Sequence, residues 1–227
     1  MTRRAFDLAD RFQIPVFVLT DQYFIDSYYT LPDIEIPVRN PVAHIVETGE
    51  GYARYRMTET GISPRGIPGY GSGLVAMDSD EHDEAGHITE DLNVRVAMVE
   101  KRLRKLREIE KEAFPPTLVG REDYTTLVLG WGSTYHVIAE ALRILGREDV
   151  SFLHFSQVYP LPAETKDYLK RAGRVVVVEG NATAQFARVL TLEACCPIPH
   201  HILKYNGMQF SVEELVERLG AVLDGGE

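Results

Sequence analysis

A helix followed directly by an apolar run, near the start of the chain, constrains the fold most. Four apolar residues share one face of the predicted helix: Ala5, Leu8, Ala9 and Phe12. The next residues form a short apolar run typical of a strand buried on both faces: Ile14, Val16, Phe17, Val18 and Leu19. Such a strand needs neighbours, and this segment supplies one strand only. We therefore expect a fragment or split subunit whose first sheet is completed by other residues.

Composition and charge favour a globular protein of one or two domains. The 227 residues are 44% hydrophobic and 26% charged, which allows a sizeable core. The formal net charge of -10 argues against a nucleic-acid partner, because binding DNA or RNA needs a basic surface. No apolar run approaches the roughly 20 residues of a membrane-spanning helix. We expect no membrane partner and a cytoplasmic location.

The two cysteines, Cys195 and Cys196, are adjacent. They form neither a disulfide framework nor a CxxC motif, so we expect that this chain alone ligates no iron–sulfur cluster. We predict that they are semi-buried and end a helix before Pro197.

Proline and glycine interrupt the next part of the chain. Pro32, Pro37 and Pro41 predict a connector that leaves the first domain. The sequence TGISPRGIPG follows at residues 60–69 and places Arg65 in irregular backbone. One interpretation is a surface crossing held by proline and glycine. The other is a functional loop in which Arg65 meets an anionic substrate or cofactor group.

An acidic segment, DSDEHDEAGH, occupies residues 78–87. The spacing of His82 and His87 matches neither a same-face helical pair nor a standard zinc pattern, so we predict no metal site, although a divalent metal stays a minor interpretation. Two other interpretations of this segment are a solvated or interface loop and a loop that faces the active site. Thr89 is a plausible helix N-cap.

A long helix is predicted from residue 90 to about residue 113. An apolar stripe at three- and four-residue steps must pack along something: Leu92, Val96, Val99, Leu103 and Leu106. Basic residues interleave with glutamates and predict a solvated, ion-paired face rather than a phosphate site: Lys101, Arg102, Arg104, Lys105, Arg107 and Lys111. Phe114, Pro115 and Pro116 end the helix.

Strands and helices then alternate strictly. Strands are predicted at residues 125–130, 151–155, 174–179 and 201–205, and helices at 134–145, 163–172, 183–194 and after Ser211, which begins a capping box. This alternation predicts a parallel sheet covered on both faces. The turn at residues 130–133 is either a tight turn or a weak candidate for anion binding. Residues 179–181 either face a neighbouring domain or cap a helix at Asn181.

Several motifs together closely resemble the alpha subunit of 2-oxoacid:ferredoxin oxidoreductases, especially its 2-oxoglutarate type. They are AFDLADRFQIPVFVLTDQYF, TGISPRGIPG, DSDEHDEAGH with the basic helix, TTLVLGWGSTYHVIAEAL and VVVVEGNATAQFARVL. The resemblance runs from end to end and suggests the carboxy-terminal portion of that subunit. It implies an α/β protein in three parts. Residues 1–44 would end a pyrimidine-binding domain of a thiamine enzyme, residues 45–116 would form a connector, and residues 117–227 would form a parallel α/β domain like the carboxy-terminal domain of transketolases.

The resemblance also implies a reaction and its partners. Thiamine diphosphate attacks a 2-oxoacid, carbon dioxide leaves, electrons pass through an iron–sulfur cluster to ferredoxin, and coenzyme A takes the acyl group. Thiamine diphosphate and Mg²⁺ are expected at the interface with a beta subunit, and the iron–sulfur cluster on a partner chain. The missing amino-terminal part of alpha is expected as a separate chain.

The motif match assigns no catalytic or cofactor-binding residue to this chain. From the loops, we expect Arg65, His82 and His87 to face the substrate or coenzyme A. The isolated chain is expected to be inactive. Two other functions stay open: a non-catalytic docking module of a pyruvate or branched-chain oxidoreductase, and an independent nucleotide-binding domain that uses residues 130–133.

Overall fold

The computed structural model describes residues 1–33 and 44–225. These residues form two compact units: Met1–Leu19 with Tyr29–Lys111, and Thr20–Tyr28 with Glu112–Glu227. The three-part division at residues 44 and 116 stays a prediction.

Within the described residues there are seven α-helices and five strands. The helices are α1 (Thr2–Phe12), α2 (Gln22–Asp26), α3 (Leu92–Glu110), α4 (Tyr135–Leu145), α5 (Thr165–Arg171), α6 (Gln185–Ala194) and α7 (Val212–Leu223). The strands are β1 (Thr117–Val119), β2 (Thr126–Trp131), β3 (Val150–Phe155), β4 (Arg174–Glu179) and β5 (His200–Leu203). None of the helices in these ranges is both long and apolar enough to cross a membrane.

Helix α1 confirms the first predicted helix, and its apolar face ends at the fully buried Phe12. The strand predicted after it is wrong, because residues 15–20 have irregular backbone. Phe17 is 82% exposed and Leu19 is 62% exposed. A strand is stabilised by hydrogen bonds to a neighbour. Without one among the described residues, this run stays irregular, and residues 17–20 are exposed.

Helix α3 is shorter than predicted and buries a different face. Its N-cap is Asp91 rather than Thr89, since the Asp91 carboxylate accepts a hydrogen bond from the Asn93 N–H at 2.8 Å. It ends at Glu110, before the predicted end at residue 113. Four residues of the apolar stripe are exposed: Leu92, Val96, Val99 and Leu103. Met98 and Lys101 are buried instead, so the packing expected of this stripe is not found in the described part of the chain.

Residues 44–91 are irregular, as predicted, but hydrogen bonds hold them in place. Thr48 is 3% exposed and forms an isolated bridge with Gly71. Its N–H and its hydroxyl both donate to the Tyr70 carbonyl, at 3.0 and 2.9 Å. Pro37 and Pro41, which carried the connector prediction together with Pro32, lie outside the described residues.

The second unit is built on a five-stranded sheet in the order β1-β3-β2-β4-β5. Strands β2 to β5 are parallel, as predicted, and Val128 lies beside Phe152 on one side and Val176 on the other. Strand β1 was not predicted and runs antiparallel to β3 at the edge. The sheet is therefore mostly parallel, with an antiparallel strand along one edge.

Helices cover both faces of this sheet, because alternate residues of each strand point to opposite sides. Leu127 and Leu129 pack in one buried cluster with residues of α5 and α6. Val128 and Phe152 pack in the other with residues of α4 and α7. Helix α7 begins as the capping box predicts, since the Ser211 hydroxyl accepts from the Glu214 N–H at 3.2 Å.

The adjacent cysteines end α6, as predicted. Cys195 has a φ of 54° at the C-cap and Pro197 follows. Cys195 is exposed and Cys196 half-buried, so only the second matches the predicted semi-buried environment. The Cys195 thiol donates to the Leu192 carbonyl at 3.8 Å, so it stays against the last turn of the helix.

Candidate functional site

The loop that carries Arg65 is fixed by a half-buried network around Tyr52. The Tyr52 hydroxyl donates to the Pro64 carbonyl at 2.9 Å and accepts from the Gly66 N–H at 2.6 Å. Arg65 itself donates from Nη1 to Oδ1 of Asp10 on α1, at 2.9 Å. The guanidinium is about one-third exposed and has a single carboxylate partner among the described residues. A planar guanidinium has five donors, so Arg65 retains donors for a second anion.

Gly61 brings the same loop against α3. A Cβ built there would lie 2.2 Å from the Lys101 carbonyl oxygen and 2.8 Å from the Lys105 backbone nitrogen. The φ of Gly61 is +77°, which also favours glycine. Only a residue without a side chain allows this approach, which places the loop directly on the basic face of the helix.

The acidic segment closes on itself as a compact turn. His82 and Ile88 form an antiparallel bridge, and the Asp83 N–H donates to the His87 carbonyl at 2.9 Å. The Asp83 carboxylate accepts from the N–H groups of Ala85 and His87, both at 2.9 Å. The His87 N–H holds the pKa of Asp83 below its usual value. This acid is occupied in shaping the loop.

The three residues predicted to face a ligand occupy different environments. His82 stacks on Tyr55 with ring centroids 3.6 Å apart and lines a cavity of about 150 Å³. The His87 side chain is 74% exposed, with Nδ1 3.4 Å from the Asp83 carboxylate. Arg65 and His87 are not among the residues that line the cavity. Their role toward a ligand stays a prediction.

Sequence reasoning missed a group of cations around that cavity, which we call the basic cavity. Its cationic lining consists of Arg54, Lys101, Arg102 and Lys105. Lys101 is 7% exposed, which corrects the prediction that all basic residues of the helix lie on a solvated face. Met98, Lys101 and Lys105 follow one another at three- and four-residue steps and share one face of α3. That spacing could have predicted the buried face of α3, although the exposed apolar stripe of the same helix was the stronger pattern.

Burial and mutual repulsion weaken the basicity of these lysines. Burial, followed by the charges of Lys105 and Arg54, lowers the pKa of Lys101 to about 8. Burial, followed by the charges of Arg54 and Arg102, also lowers the pKa of Lys105. Lys101 Nζ donates to the Tyr55 carbonyl at 2.9 Å, and Lys105 Nζ donates to the Gln13 carbonyl at 3.4 Å. The two ammonium groups thus hold two loops onto the helix.

The glycine turn of the second unit is less suited to an anion. The Ser133 hydroxyl donates to the carboxylate of Asp21, which places a negative charge beside the turn. The Gly132 carbonyl lies 3.0 Å from Nε2 of His154, whose pKa is lowered chiefly by burial. Trp131 packs near Phe186, with ring centroids 6.3 Å apart. These contacts favour the tight-turn interpretation over phosphate binding.

The turn after β4 caps a helix. Glu179 is fully buried, and its carboxylate accepts from the N–H groups of Phe186 and Ala187, both at 2.9 Å. Asn181 Nδ2 donates to the same carboxylate at 2.7 Å, and its Oδ1 accepts from Gln185 N–H at 3.2 Å. Both side chains accept hydrogen bonds from the first turn of α6, which favours the capping interpretation of Asn181. The helix nevertheless begins at Gln185 rather than at residue 183, and its N-cap residue is Ala184.

Among the described residues, histidine, cysteine and carboxylate side chains do not gather in groups of three. A diphosphate–Mg²⁺ group needs oxygen ligands that converge on the metal. In residues 1–33 and 44–225, no three histidine, cysteine, aspartate or glutamate side chains converge in this way.

Comparison with known proteins identifies what this arrangement resembles. A family described as "Pyruvate flavodoxin/ferredoxin oxidoreductase, thiamine diP-bdg" matches residues 1–101. The 2-oxoacid:ferredoxin oxidoreductase 1 alpha subunit of Sulfurisphaera tokodaii is 33% identical over 98% of this chain and 36% of its own length. The 2-oxoglutarate oxidoreductase subunit KorA of Mycobacterium tuberculosis is 27% identical over 96% of this chain and 34% of its own length.

A solved structure gives the same result. The 2-oxoglutarate:ferredoxin oxidoreductase from Magnetococcus marinus, with 2-oxoglutarate, coenzyme A and succinyl-CoA bound, matches with a TM-score of 0.66 and 27% identity. The match covers 77% of this chain and 32% of that one. The chain thus spans about a third of the length of these relatives.

Proposed function

Because this chain belongs to the family of 2-oxoacid:ferredoxin oxidoreductase alpha subunits, we propose that it forms the carboxy-terminal portion of such a subunit, acting on 2-oxoglutarate. The complete enzyme would decarboxylate the 2-oxoacid oxidatively, transfer the acyl group to coenzyme A and reduce ferredoxin. The observation that carries the proposal is the match over at least 96% of this chain to both the broad and the 2-oxoglutarate-named relatives. The Magnetococcus structure, which holds 2-oxoglutarate, supports the choice of substrate.

The cofactor belongs, in this proposal, to an interface. Thiamine diphosphate supplies the carbanion chemistry when bound. The thiamine-binding family matches residues 1–101, yet the described residues lack converging metal ligands. We therefore place the diphosphate and Mg²⁺ with a beta subunit and the iron–sulfur cluster on a partner chain. The complex would act in the cytoplasm.

Exposed apolar residues support an assembly with other chains. Phe17, Leu19 and Leu92 are each at least 62% exposed. Exposed apolar surface of this kind marks interaction sites in proteins that function as subunits. The isolated chain is accordingly proposed to be inactive, with activity restored in the complex.

Arg65, His82 and His87 are the residues proposed to face the 2-oxoacid or coenzyme A. Arg65 has one carboxylate partner among the described residues and is partly exposed, so it can bind a substrate carboxylate through its remaining donors. His87 is largely exposed, so its imidazole is accessible to a ligand. His82 is the least available, because its ring is stacked on Tyr55.

The first experiment is reduction of a viologen dye that depends on 2-oxoglutarate and coenzyme A. It uses the chain co-purified with the neighbouring subunits of its source, and the chain alone as control. Activity in the complex only supports the proposal. A complex that holds thiamine diphosphate without turnover, or the absence of any complex, contradicts it and favours the non-catalytic docking module. Pyruvate and branched-chain 2-oxoacids replace 2-oxoglutarate in parallel reactions, and faster turnover of either contradicts the substrate assignment.

A second experiment tests Arg65 in the active complex. Arg65→Ala removes both the ion pair with Asp10 and the donors, whereas Asp10→Asn removes only the charge of its partner. We expect Arg65→Ala to raise the KM for the 2-oxoacid by about tenfold or more, as the loss of a charged hydrogen bond does, and Asp10→Asn to leave it within about twofold. Equal effects of the two variants would show that Arg65 acts only through the ion pair. His82→Ala and His87→Ala are measured in the same assay, and unchanged kinetics at all three positions would remove them from the site.

A further inference from the structure

The basic cavity carries more positive charge than its surroundings neutralise. Arg102 is paired with Glu81 through two hydrogen bonds, at 2.9 and 3.1 Å. Glu84 is the other carboxylate that acts on the cavity, since its charge raises the pKa of Lys101 against the opposing effects. Four cations and two carboxylates leave a net charge of about +2 when the lysines are protonated.

Three of the four cations have no carboxylate partner among the described residues. In the part of the chain that the structure describes, no ion pair involves Arg54, Lys101 or Lys105. Each ammonium has three donors, and each of these lysines makes one hydrogen bond, to a backbone carbonyl. Arg54 lies over the Tyr55 ring at 5.3 Å. The cavity therefore offers unused donors beside uncompensated charge.

Holding these cations together is costly without a counter-ion. Burial of a charge in a protein is unfavourable unless the charge is paired, and like charges at short range repel. The lowered pKa values of Lys101 and Lys105 show this cost. The structural role of the two lysines, holding carbonyls of residues 13 and 55, does not need Arg54 at the same cavity.

We propose that the basic cavity binds a compact oxyanion with two negative charges, held by Arg54, Lys101 and Lys105. Its volume of about 150 Å³ is enough for a molecule of the size of benzene, which exceeds a phosphate ion and is comparable to a short dicarboxylate. A dianion matches the net charge. The stacked rings of Tyr55 and His82 form part of the wall. His82 lines this cavity and is also proposed to face the substrate, but dianion binding is measured without turnover, so it holds or fails separately from the proposed enzyme activity.

The test is isothermal titration of the full chain with inorganic phosphate at constant ionic strength, repeated with succinate and with nitrate. Arg54→Gln and Lys105→Gln each remove one charge and are expected to weaken dianion binding by about tenfold or more. Arg107→Gln removes an exposed charge from the same helix and is expected to leave the affinity unchanged. Two separate variants keep the test valid if one fails to fold.

Tighter binding of phosphate identifies a phosphate group as the natural ligand, and tighter binding of succinate identifies a dicarboxylate. Equal binding of nitrate, no saturation with either dianion, or the same affinity in Arg54→Gln and Lys105→Gln overturns the proposal. These results are obtained without turnover, so they stand apart from the outcome of the viologen assay.

Proton uptake gives a second measurement on the same site. An anion next to Lys101 favours its charged form, so binding at pH 8 should take up as much as about half a proton, because a lysine with a pKa near 8 is half protonated there. Titrations in two buffers with different ionisation enthalpies measure this uptake. Other charged or titratable groups lie at the cavity: Lys105, Arg54, Arg102, Glu81, Glu84 and His82. Binding without proton uptake at pH 8 contradicts the assignment of Lys101 to the ligand.

Discussion

Strand β2 and residues 14–19 are both apolar runs of six residues, but only β2 is a strand. Its residues Thr126 to Gly130 are buried between two neighbouring strands and two layers of helices. Residues 17–19 of the other run are exposed and unpaired in the described structure. The comparison shows that an apolar run forms a strand when neighbours satisfy its backbone, and that the run alone is not sufficient.

Helix α3 extends the comparison to helices. Helix α7 buries its apolar residues Leu215, Leu219 and Leu223 against the sheet. Helix α3 exposes its stripe and buries Lys101. In the second unit, α7 thus packs its apolar face against the sheet. In the first unit, α3 exposes apolar residues and buries a cation, which is unfavourable. We expect the stability of the two units to respond differently to the same kind of substitution.

The largest expected effect comes from the same truncation in the two apolar runs. Leu129→Ala empties a fully buried position and should lower the free energy of unfolding by about 2–5 kcal/mol. Leu19→Ala truncates a side chain that is 62% exposed, and it should change the free energy of unfolding by less than about 0.5 kcal/mol. Urea unfolding followed by circular dichroism measures both. A large loss of unfolding free energy in Leu19→Ala would contradict this difference between the two runs, because it would show that residues 14–19 are buried in solution.

The next effect sharpens the view that the second unit is complete in itself. Glu179→Gln keeps the shape of a fully buried side chain but replaces the charged acceptor of two N–H groups. We expect a loss of about 1.5–3 kcal/mol, the range for hydrogen bonds to a charged group. Glu217→Gln on α7 is the exposed control and should be nearly neutral. If thermal or urea unfolding finds both variants equally stable, the carboxylate does not hold α6.

The smallest effect, when it is measured over one pH unit, concerns the buried cation of the first unit. The pKa of Lys101 is lowered to about 8 in the folded chain, so between pH 8 and about 10.5 the unfolded chain binds more protons. Stability should therefore rise with pH in this window, with a slope of at most about 1.4 kcal/mol per pH unit from this group. Lys101→Met should flatten the rise, and Arg107→Gln should not. An identical pH profile in Lys101→Met would show that this lysine is not titrating as assigned.

Much of the second unit was predictable because its signals are local. Hydrophobic runs of strand length, bounded by turns and separated by helical patterns, identified β2 to β5 and α4 to α7. The Ser211 capping box marked the start of α7. The antiparallel strand β1 has three residues and no helix of its own, so nothing in its sequence distinguished it from a loop.

The candidate site was less predictable because contacts distant in sequence form it. Arg65, His82 and His87 were identified from unusual composition, and their relation to a ligand stays a prediction. The burial of Lys101 depends on Tyr55, which lies 46 residues earlier. The stacking of His82 on Tyr55 is equally non-local. A charged residue inside a mixed-charge helix gives no sign of such partners.

The close approach at Gly61 has a consequence for how this gene can change over time. A side chain at Gly49 would meet nothing within 4 Å, so that codon can drift among many residues. At Gly61 every replacement meets the backbone of α3 and an unfavourable φ of +77°. Selection at Gly61 would preserve the short distance between the loop and α3 rather than a chemical group of the residue. Gly61 thus preserves the path of the loop, although it contributes no functional side chain.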